Sequence, residues 1–416
     1  MILNKKNIAI IGAGISGLTV ANLLRNKFDI TIFEREDRPG GLIKCDMIEG
    51  SLFHTCGGHV FNTKRNDVFD LFWGFFNKTK EFSKATRNSV VFMPNGLRIP
   101  YPIENHAYLF DDELFIPFLK DMTNGKDENK EIENFQEFLK DRFGNTLYEL
   151  YFKPYNEKVW RRDLSQVPLT WLQGKLPMPT RDEIIYNNVR RVEEKEFVHS
   201  TFWYEREGGS QMIANRMAEN LKIRYNSSIE SIKRVQDKWI INLEEFDIVI
   251  FCGNIKQLPR LLGNYIVNNI DWIEQLDFHG TTSVFCEIEN NPYSWIYLPD
   301  HSIEPHRIIC TGNFSTTNNA PGKMTGSIEF TDYISKDEIL DQLSRTPLVK
   351  RYITHKYNKY TYPIQGHATK EQISSLKDEL AKVNFYMTGR FADWEYYNMD
   401  TAMGAAMDMV KNYNLI

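Results

Sequence analysis

Gly12, Gly14 and Gly17 stand at G-x-G-x-x-G spacing, and Glu34 lies near the roughly 20-residue offset at which an acidic side chain meets a ribose hydroxyl. The chemistry of such glycines lies in what they leave open. Gly12 permits a tight strand-to-helix turn, Gly14 lets backbone approach a pyrophosphate, and Gly17 lets the helix pack close to the strand. Phosphates would then meet the free N–H groups and the positive dipole end of that helix. An acid at position 34 disfavours a 2′-phosphate, so FAD or NAD fits better than NADP.

The surrounding elements make this turn more than a chance triplet. Ile8-Ala9-Ile10-Ile11 is a β-branched apolar run before it, and Leu18, Val20, Ala21, Leu23 and Leu24 give a helical pattern after it. Glycine pairs recur in Arg38-Pro39-Gly40-Gly41 and Gly57-Gly58-His59-Val60-Phe61, where backbone can come close to a ligand. Residues 90–101 read as two short strands around a Pro-Asn-Gly turn. The polar stretch 124–133 reads as an exposed loop, followed by Phe135, Phe138, Leu139 and Phe143 at helical spacing, then Leu147, Leu150 and Tyr151 running toward Tyr155 and Trp160. Residues 105–195 therefore read as a mainly helical insertion. Sheet-like text returns at 223–225, 228–232, 239–243 and 246–252, the last of buried parallel type, with further strand candidates at 282–288, 307–311 and 326–330. The chain closes with a strand, the pair Gly389-Arg390 and a helix over 399–413.

The 416 residues are 42% hydrophobic, enough for a substantial core in two or three domains. A formal net charge of −5 suggests neither a nucleic-acid footprint nor a polybasic membrane segment. Cys45, Cys56, Cys252, Cys286 and Cys310 are scattered and form no C-x-x-C pair, which argues against a disulfide framework or a structural zinc site, and no metal is expected. Met1 leads almost directly into the first strand, and no apolar run approaches the roughly 20 residues needed to span a bilayer. The expectation is a cytoplasmic protein without a membrane span.

Four ordered blocks carry a resemblance. They are the Gly57–Phe61 turn; Phe143-Gly144 through Glu149 with Phe152-Lys153-Pro154-Tyr155-Asn156-Glu157-Lys158-Val159-Trp160; Glu207-Gly208-Gly209-Ser210-Gln211-Met212-Ile213; and Gly389-Arg390 with Tyr396-Tyr397-Asn398-Met399-Asp400. Together they resemble the UDP-galactopyranose mutases, within the amine oxidase and protoporphyrinogen oxidase superfamily of FAD flavoproteins. The resemblance implies an α/β fold, α+β overall: a Rossmann-like FAD-binding domain built from discontinuous segments (1–85, 196–262 and 371–416), an inserted mainly helical domain (105–195), and an antiparallel-sheet substrate domain (86–104 and 263–370). It assigns FAD to Gly12, Gly14, Gly17, Glu34, Arg35, Gly41, Gly389, Arg390 and Met399, with Ile229 as a strand contact near the adenine.

The resemblance also implies the reaction, a pyranose–furanose ring contraction of a nucleotide sugar for surface polysaccharide synthesis, with no net redox change. Reduced flavin attacks the anomeric carbon through N5, so the protein binds, orients and stabilises charge rather than supplying a nucleophile. His59 is expected beside the flavin, and Arg181 and Arg307 on the substrate side, where guanidinium suits a diphosphate. Tyr155, Trp160, Trp394 and Tyr396 are the expected substrate contacts. Two tyrosines of the mutase pattern align with Trp394 and Phe330, and one arginine has no counterpart near His279-Gly280-Thr281-Thr282, so another sugar nucleotide is open. An electron donor for the flavin is implied, and a homodimer is left open. The alternative from the same superfamily is an FAD-dependent oxidase or dehydrogenase, which would need an apolar cage for its substrate.

Overall fold

The computed structural model describes residues 5–124, 131–169, 179–192, 201–265 and 270–416. The first strand, β1 (Asn7–Ile11), leads into α1 (Ile15–Leu24) and then β2 (Asp29–Phe33). Around this unit five parallel strands are assembled in the order Phe385–Met387, Ile248–Phe251, β1, β2, Ile223–Arg224. Both faces of the sheet are covered, which is why β1 is apolar without alternation. Ile8 and Ile10 pack with Leu18, Ala21 and the C-terminal helix residues Met403 and Ala406, whereas Ala9 and Ile11 join Phe33, Trp239 and Phe251 on the other face. The period of two along the strand decides which core each residue enters.

The second layer is a seven-stranded sheet in the order Val349–Ile364, Asp277–Ile288, Thr325–Thr331, Arg307–Ile309, Trp295–Tyr297, Ser89–Phe92, Arg98–Pro100. It is antiparallel except where Trp295–Tyr297 runs parallel to Ser89–Phe92. The 16-residue strand Val349–Ile364 has no counterpart among the strands expected from sequence. Its Lys, Thr, Tyr and His content hides the alternation, because its outer positions are charged and its inner ones are hydroxyl-bearing.

The helices Asp112–Thr123, Phe135–Leu147, Lys153–Trp160 and Arg181–Arg190 pack with Val91, Ile99, Trp295, Tyr297 and Ile309 of this second sheet. Phe118, Phe135, Phe138, Leu139, Phe143 and Leu147 are buried together, so the aromatic stripe read at helical spacing is core. Part of the stretch 124–133, and Pro177 and Met178 before Arg181, lie outside the described residues. Among the described residues no helix is long and apolar enough to cross a membrane. No group of three or more His, Cys, Asp or Glu side chains among them is placed to hold a metal ion.

Candidate functional site

The glycine turn is built as its chemistry requires. Gly12 has φ +104° and donates its N–H to Phe33 O at 2.8 Å. A Cβ on Gly17 would lie 2.0 Å from Gly12 O, so no other residue fits there. Gly14 precedes α1 in extended conformation with no side-chain cap, and the first N–H groups of the helix are left for a ligand. Glu34 is 6% exposed, and its carboxylate accepts N–H bonds from Ala13 at 2.7 Å and Glu36 at 3.0 Å. Those bonds fix the carboxylate at the mouth of the turn while leaving lone pairs free for ribose hydroxyls.

Two distant segments close on this turn. Gly40 bridges Gly14 and donates its N–H to Ala13 O at 2.9 Å, and a Cβ on Gly41 (φ +57°) would stand 3.3 Å from Gly14 Cα. Gly389 (φ +115°) lies against Ser16, whose Oγ is 3.0 Å from where a Cβ would be. The carboxylate of Asp393 accepts the Gly389 N–H at 3.0 Å. Met399, 4% exposed, opens the helix Met399–Asn412 behind Asn398, which is extended and provides no side-chain cap. Residues far apart in sequence thus form one cradle with two uncapped helix N-termini.

Two further residues expected at the dinucleotide have partners of their own. Arg35 is exposed and pairs with Glu36 at 3.2 Å. Ile229 is buried, but in coil before the strand Ile232–Val235, after Asn226 and Ser227, which donate their N–H groups to Glu36 O and Glu34 O. Its carbonyl accepts from Arg260 at 3.4 Å.

His59 is delivered by the hairpin Cys45–Ile48 and Ser51–His54. His54 is fully buried; its Nε2 is 2.8 Å from Tyr204 Oη, and its Nδ1 is 3.2 Å from Ser210 Oγ and accepts the His59 backbone N–H at 3.4 Å. Burial, and then the nearby His59, hold the His54 pKa down at about 3, so the ring is neutral. His59 is also neutral, with burial and then Arg390 lowering its pKa to about 4. Its Nε2 is buried without a hydrogen-bond partner, as is Nε of Arg390.

From Arg390 a continuous chain of polar aromatics and charges leads away from the cradle. The Arg390 guanidinium lies 4.0 Å from the Tyr396 ring centre and donates to the carbonyls of Tyr397 and Thr361. Tyr396 stacks on Tyr362 at 5.2 Å, and Tyr362 Oη accepts from Arg307 Nη2 at 3.3 Å. Arg307 donates its Nε–H to Glu329, which is 1% exposed. Burial raises the Glu329 pKa, but the charges and hydrogen bonds of Arg307 and His306 together outweigh it and hold the carboxyl at about 2. His306 Nε2 stands 3.6 Å from the same carboxylate, and Tyr155 lies edge-on to His306 at 6.4 Å, stacked on Tyr151 at 5.5 Å.

The structure therefore brings together His59, Arg390, Tyr396, Arg307 and Tyr155. It does not add Arg181, whose Nε and Nη2 donate to Asp141 O, at 3.0 and 2.5 Å, while Nη1 donates to Asn124 O. Trp394 is corrected as well: it is fully buried beside Phe278 and Phe391, and its indole N–H donates to Ile364 O at 3.0 Å. Trp160 is 4% exposed, packs edge-on against Phe135 and accepts His279 Nε2 on its carbonyl at 2.7 Å, the behaviour of a helix-end anchor. Residues absent from the sequence reading are Tyr362, Glu329, His306 and His54. Glu329 was visible in principle, since a carboxylate inside the apolar run Ser327-Ile328-Glu329-Phe330 requires a buried partner.

Orphaned buried polar atoms on His59 and Arg390, beside glycines whose missing side chains keep a cradle open, fit a flavin dinucleotide. The comparisons agree with that fit. Residues 10–75 match the family model described as an NAD(P)-binding Rossmann-like domain. The chain is 29% identical over 183 residues (42% of this chain, 46% of the relative) to a probable UDP-galactopyranose mutase of Klebsiella pneumoniae. It is 23% identical over 420 residues, covering 96% of this chain and 93% of the relative, to the UDP-galactopyranose mutase of Mycoplasma genitalium. It is 24% identical over 255 residues, 60% of this chain and 63% of the relative, to the dTDP-fucopyranose mutase of Escherichia coli. The match thus spans less than half of the Klebsiella relative and nearly all of the Mycoplasma one. In fold, the chain superposes on a reduced UDP-galactopyranose mutase with a TM-score of 0.86 at 20% identity, covering 99% of this chain and 96% of that one. The resemblance to these mutases thus extends along the chain in sequence and in fold.

Proposed function

We propose that this chain is an FAD-dependent mutase that interconverts pyranose and furanose forms of a nucleotide sugar, supplying furanose units for surface polysaccharide. The observation that carries the proposal is the chain of Arg307, Tyr362, Tyr396 and Arg390 next to the His59 turn. An amine oxidase needs an apolar cage for an uncharged amine, whereas this wall is cationic and phenolic, as a diphosphate requires. Reduced flavin, when bound, supplies the nucleophile for the anomeric carbon and leaves again without net redox change.

The protein's own residues provide the electrostatics and the geometry. Glu329 and Tyr362 engage two of the five N–H groups of Arg307, and the guanidinium keeps its charge, its pKa raised by Glu329 after the opposing effect of burial. The remaining donors of Arg307 are available to a leaving diphosphate. Tyr155, half-buried and backed by the buried Tyr151, offers a ring on the side of the helical insertion, where a nucleobase can lie. His59, neutral and with a free ring nitrogen, is placed to bond the flavin edge. Gly12, Gly14, Gly17, Gly41, Gly389, Glu34, Arg390 and Met399 are proposed to hold the dinucleotide.

Relatives acting on UDP and on dTDP sugars leave the nucleotide to be read by experiment. Dithionite-reduced protein is incubated with UDP-galactofuranose and, separately, dTDP-fucofuranose, and the products are separated by chromatography. Conversion of either to its pyranose form is expected. No conversion, with peroxide release from an amine by the oxidised protein, overturns the proposal in favour of the oxidase reading.

A further inference from the structure

Lys158 is 7% exposed, and its ammonium donates to two backbone carbonyls, Leu298 O at 2.8 Å and Pro305 O at 3.1 Å. Burial lowers its pKa to about 8, against the charges of Asp300 and Glu304 and with that of Arg161, so the side chain is charged at neutral pH. Glu304 is itself engaged by Arg161 at 2.8 Å. A cation held by neutral carbonyls gives up its hydration for no counter-charge, and an apolar chain of similar length fills such a space without that cost. Stability alone therefore gives no reason for an ammonium here.

Its place in the fold gives one. Tyr155 and Lys158, three apart in the helix Lys153–Trp160, are neighbours on one helical face. Leu298 and Pro305 bracket the turn between the strands Trp295–Tyr297 and Arg307–Ile309, which the Leu298 N–H closes at its base on His306 O at 2.9 Å. One ammonium thus ties the helix that carries Tyr155 to both ends of the turn that delivers His306 and Arg307. The Tyr155 ring meets that turn from both sides, edge-on to Tyr297 at 5.5 Å and to His306 at 6.4 Å. The other ties of the helix end are of a different kind. Arg161 to Glu304 and Arg162 to Asp277 are partly exposed ion pairs of small worth, and His279 fastens Trp160 O to another strand, Asp277–Ile288.

We propose that Lys158 is a positioning residue of the substrate wall: its bonds to Leu298 O and Pro305 O fix Tyr155 against Arg307 and so set the affinity for the nucleotide half of the substrate. The inference rests on the nucleotide-sugar reading of the site. It adds a residue that acts through Tyr155 and Arg307 rather than by contact.

The test uses the flavin-loaded full-length protein and two probes, UDP and dTDP, titrated by calorimetry. Whichever of them wild type binds is expected to bind Lys158→Met at least tenfold more weakly, with KM for the matching furanose sugar raised in step and kcat within threefold. In a Tyr155→Ala background the same substitution is expected to cost less than threefold, because the group it positions is gone. Amide exchange over residues 298–307 is expected to quicken at least fivefold in Lys158→Met, with the flavin spectrum as in wild type. Lys158→Gln takes the place of Lys158→Met if that variant does not fold, judged by circular dichroism. Unchanged amide exchange, or the same tenfold loss of affinity with and without Tyr155, overturns the proposal. Quickened exchange with neither nucleotide bound by wild type would defeat the nucleotide-sugar reading and leave the brace between Tyr155 and Arg307 standing. A nucleotide bound equally well by wild type and Lys158→Met would do the reverse.

Discussion

Arg307 and Glu329 face each other across paired strands, Arg307 opposite Glu329 in register, and the arginine Nε–H donates to the buried carboxylate. The pair lies under the tyrosines proposed to meet the substrate. Arg307→Ala leaves a carboxylate that is 1% exposed without its counter-charge, and breaking such a pair costs about 3–5 kcal/mol. Urea unfolding is expected to show that loss, and Arg307→Ala with Glu329→Gln to recover part of it. The folded pKa of Glu329, about 2 against 4.5, means its contribution is complete above pH 4.5 and fades as pH falls toward 2. Equal midpoints for wild type and Arg307→Ala would show that the pair contributes nothing.

His54 predicts a second acid effect at higher pH. Its folded pKa of about 3 lies below the ordinary 6.5, so the unfolded chain binds more protons between those values and stability falls as pH drops below 6.5. Glu205, buried and held up at about 8 by desolvation, works in the opposite direction, so a comparison of two proteins is needed. Relative to His54→Gln, wild type is expected to lose about 1.4 kcal/mol more per pH unit between pH 6 and pH 4. Parallel stability curves would mean that His54 titrates normally in the fold.

Gly17 and Gly96 separate lack of space from backbone strain. A methyl on Gly17 would lie 2.0 Å from Gly12 O, so Gly17→Ala must displace α1 from the turn and is expected to abolish dinucleotide binding at a cost of about 4 kcal/mol or more. Gly96 has φ +84° and no atom within 4 Å, so Gly96→Ala meets only conformational strain of about 1–2 kcal/mol. Thermal unfolding with and without added FAD distinguishes them. A Gly17→Ala protein that still binds FAD would contradict the geometry of the turn.

Much of this was legible in the sequence, and the part that was not has a physical reason. Gly12, Gly14, Gly17 and Glu34 act through backbone conformation and short-range spacing, which a local pattern encodes. Tyr396 and Tyr155 were reachable because they stand in ordered blocks. Tyr362 was not, since it enters the site from the strand Val349–Ile364, whose polar residues resemble a solvated segment until the neighbouring strands are present. Arg181 and Trp394 were misplaced for a related reason: nothing local shows that one guanidinium is taken by Asp141 O or that one indole is sealed in a core.

Trp394 yields a further test of that distinction. Its indole N–H is the donor to Ile364 O, and Trp394→Phe leaves that buried carbonyl without it, at a cost of about 1–3 kcal/mol. The side chain presents no polar atom to a substrate, so KM for the nucleotide sugar is expected to stay within twofold. A tenfold rise in KM at unchanged stability would place Trp394 back in the site.

Arg181 gives the sharpest contrast with Arg307. Its guanidinium ties the start of the helix Arg181–Arg190 to carbonyls at Asp141 and Asn124, joining three helical segments of the insertion. Loss of those bonds in Arg181→Ala is expected to lower stability by about 1–2 kcal/mol, because they are charge-assisted but partly exposed. The flavin spectrum and KM should be unaffected, whereas Arg307→Ala should raise KM at least tenfold. If Arg181→Ala instead raises KM and leaves the melting temperature alone, the helix must release those carbonyls and bring its arginine onto the diphosphate during turnover. Steady-state kinetics and thermal unfolding of the two variants, measured side by side, decide which arginine meets the substrate.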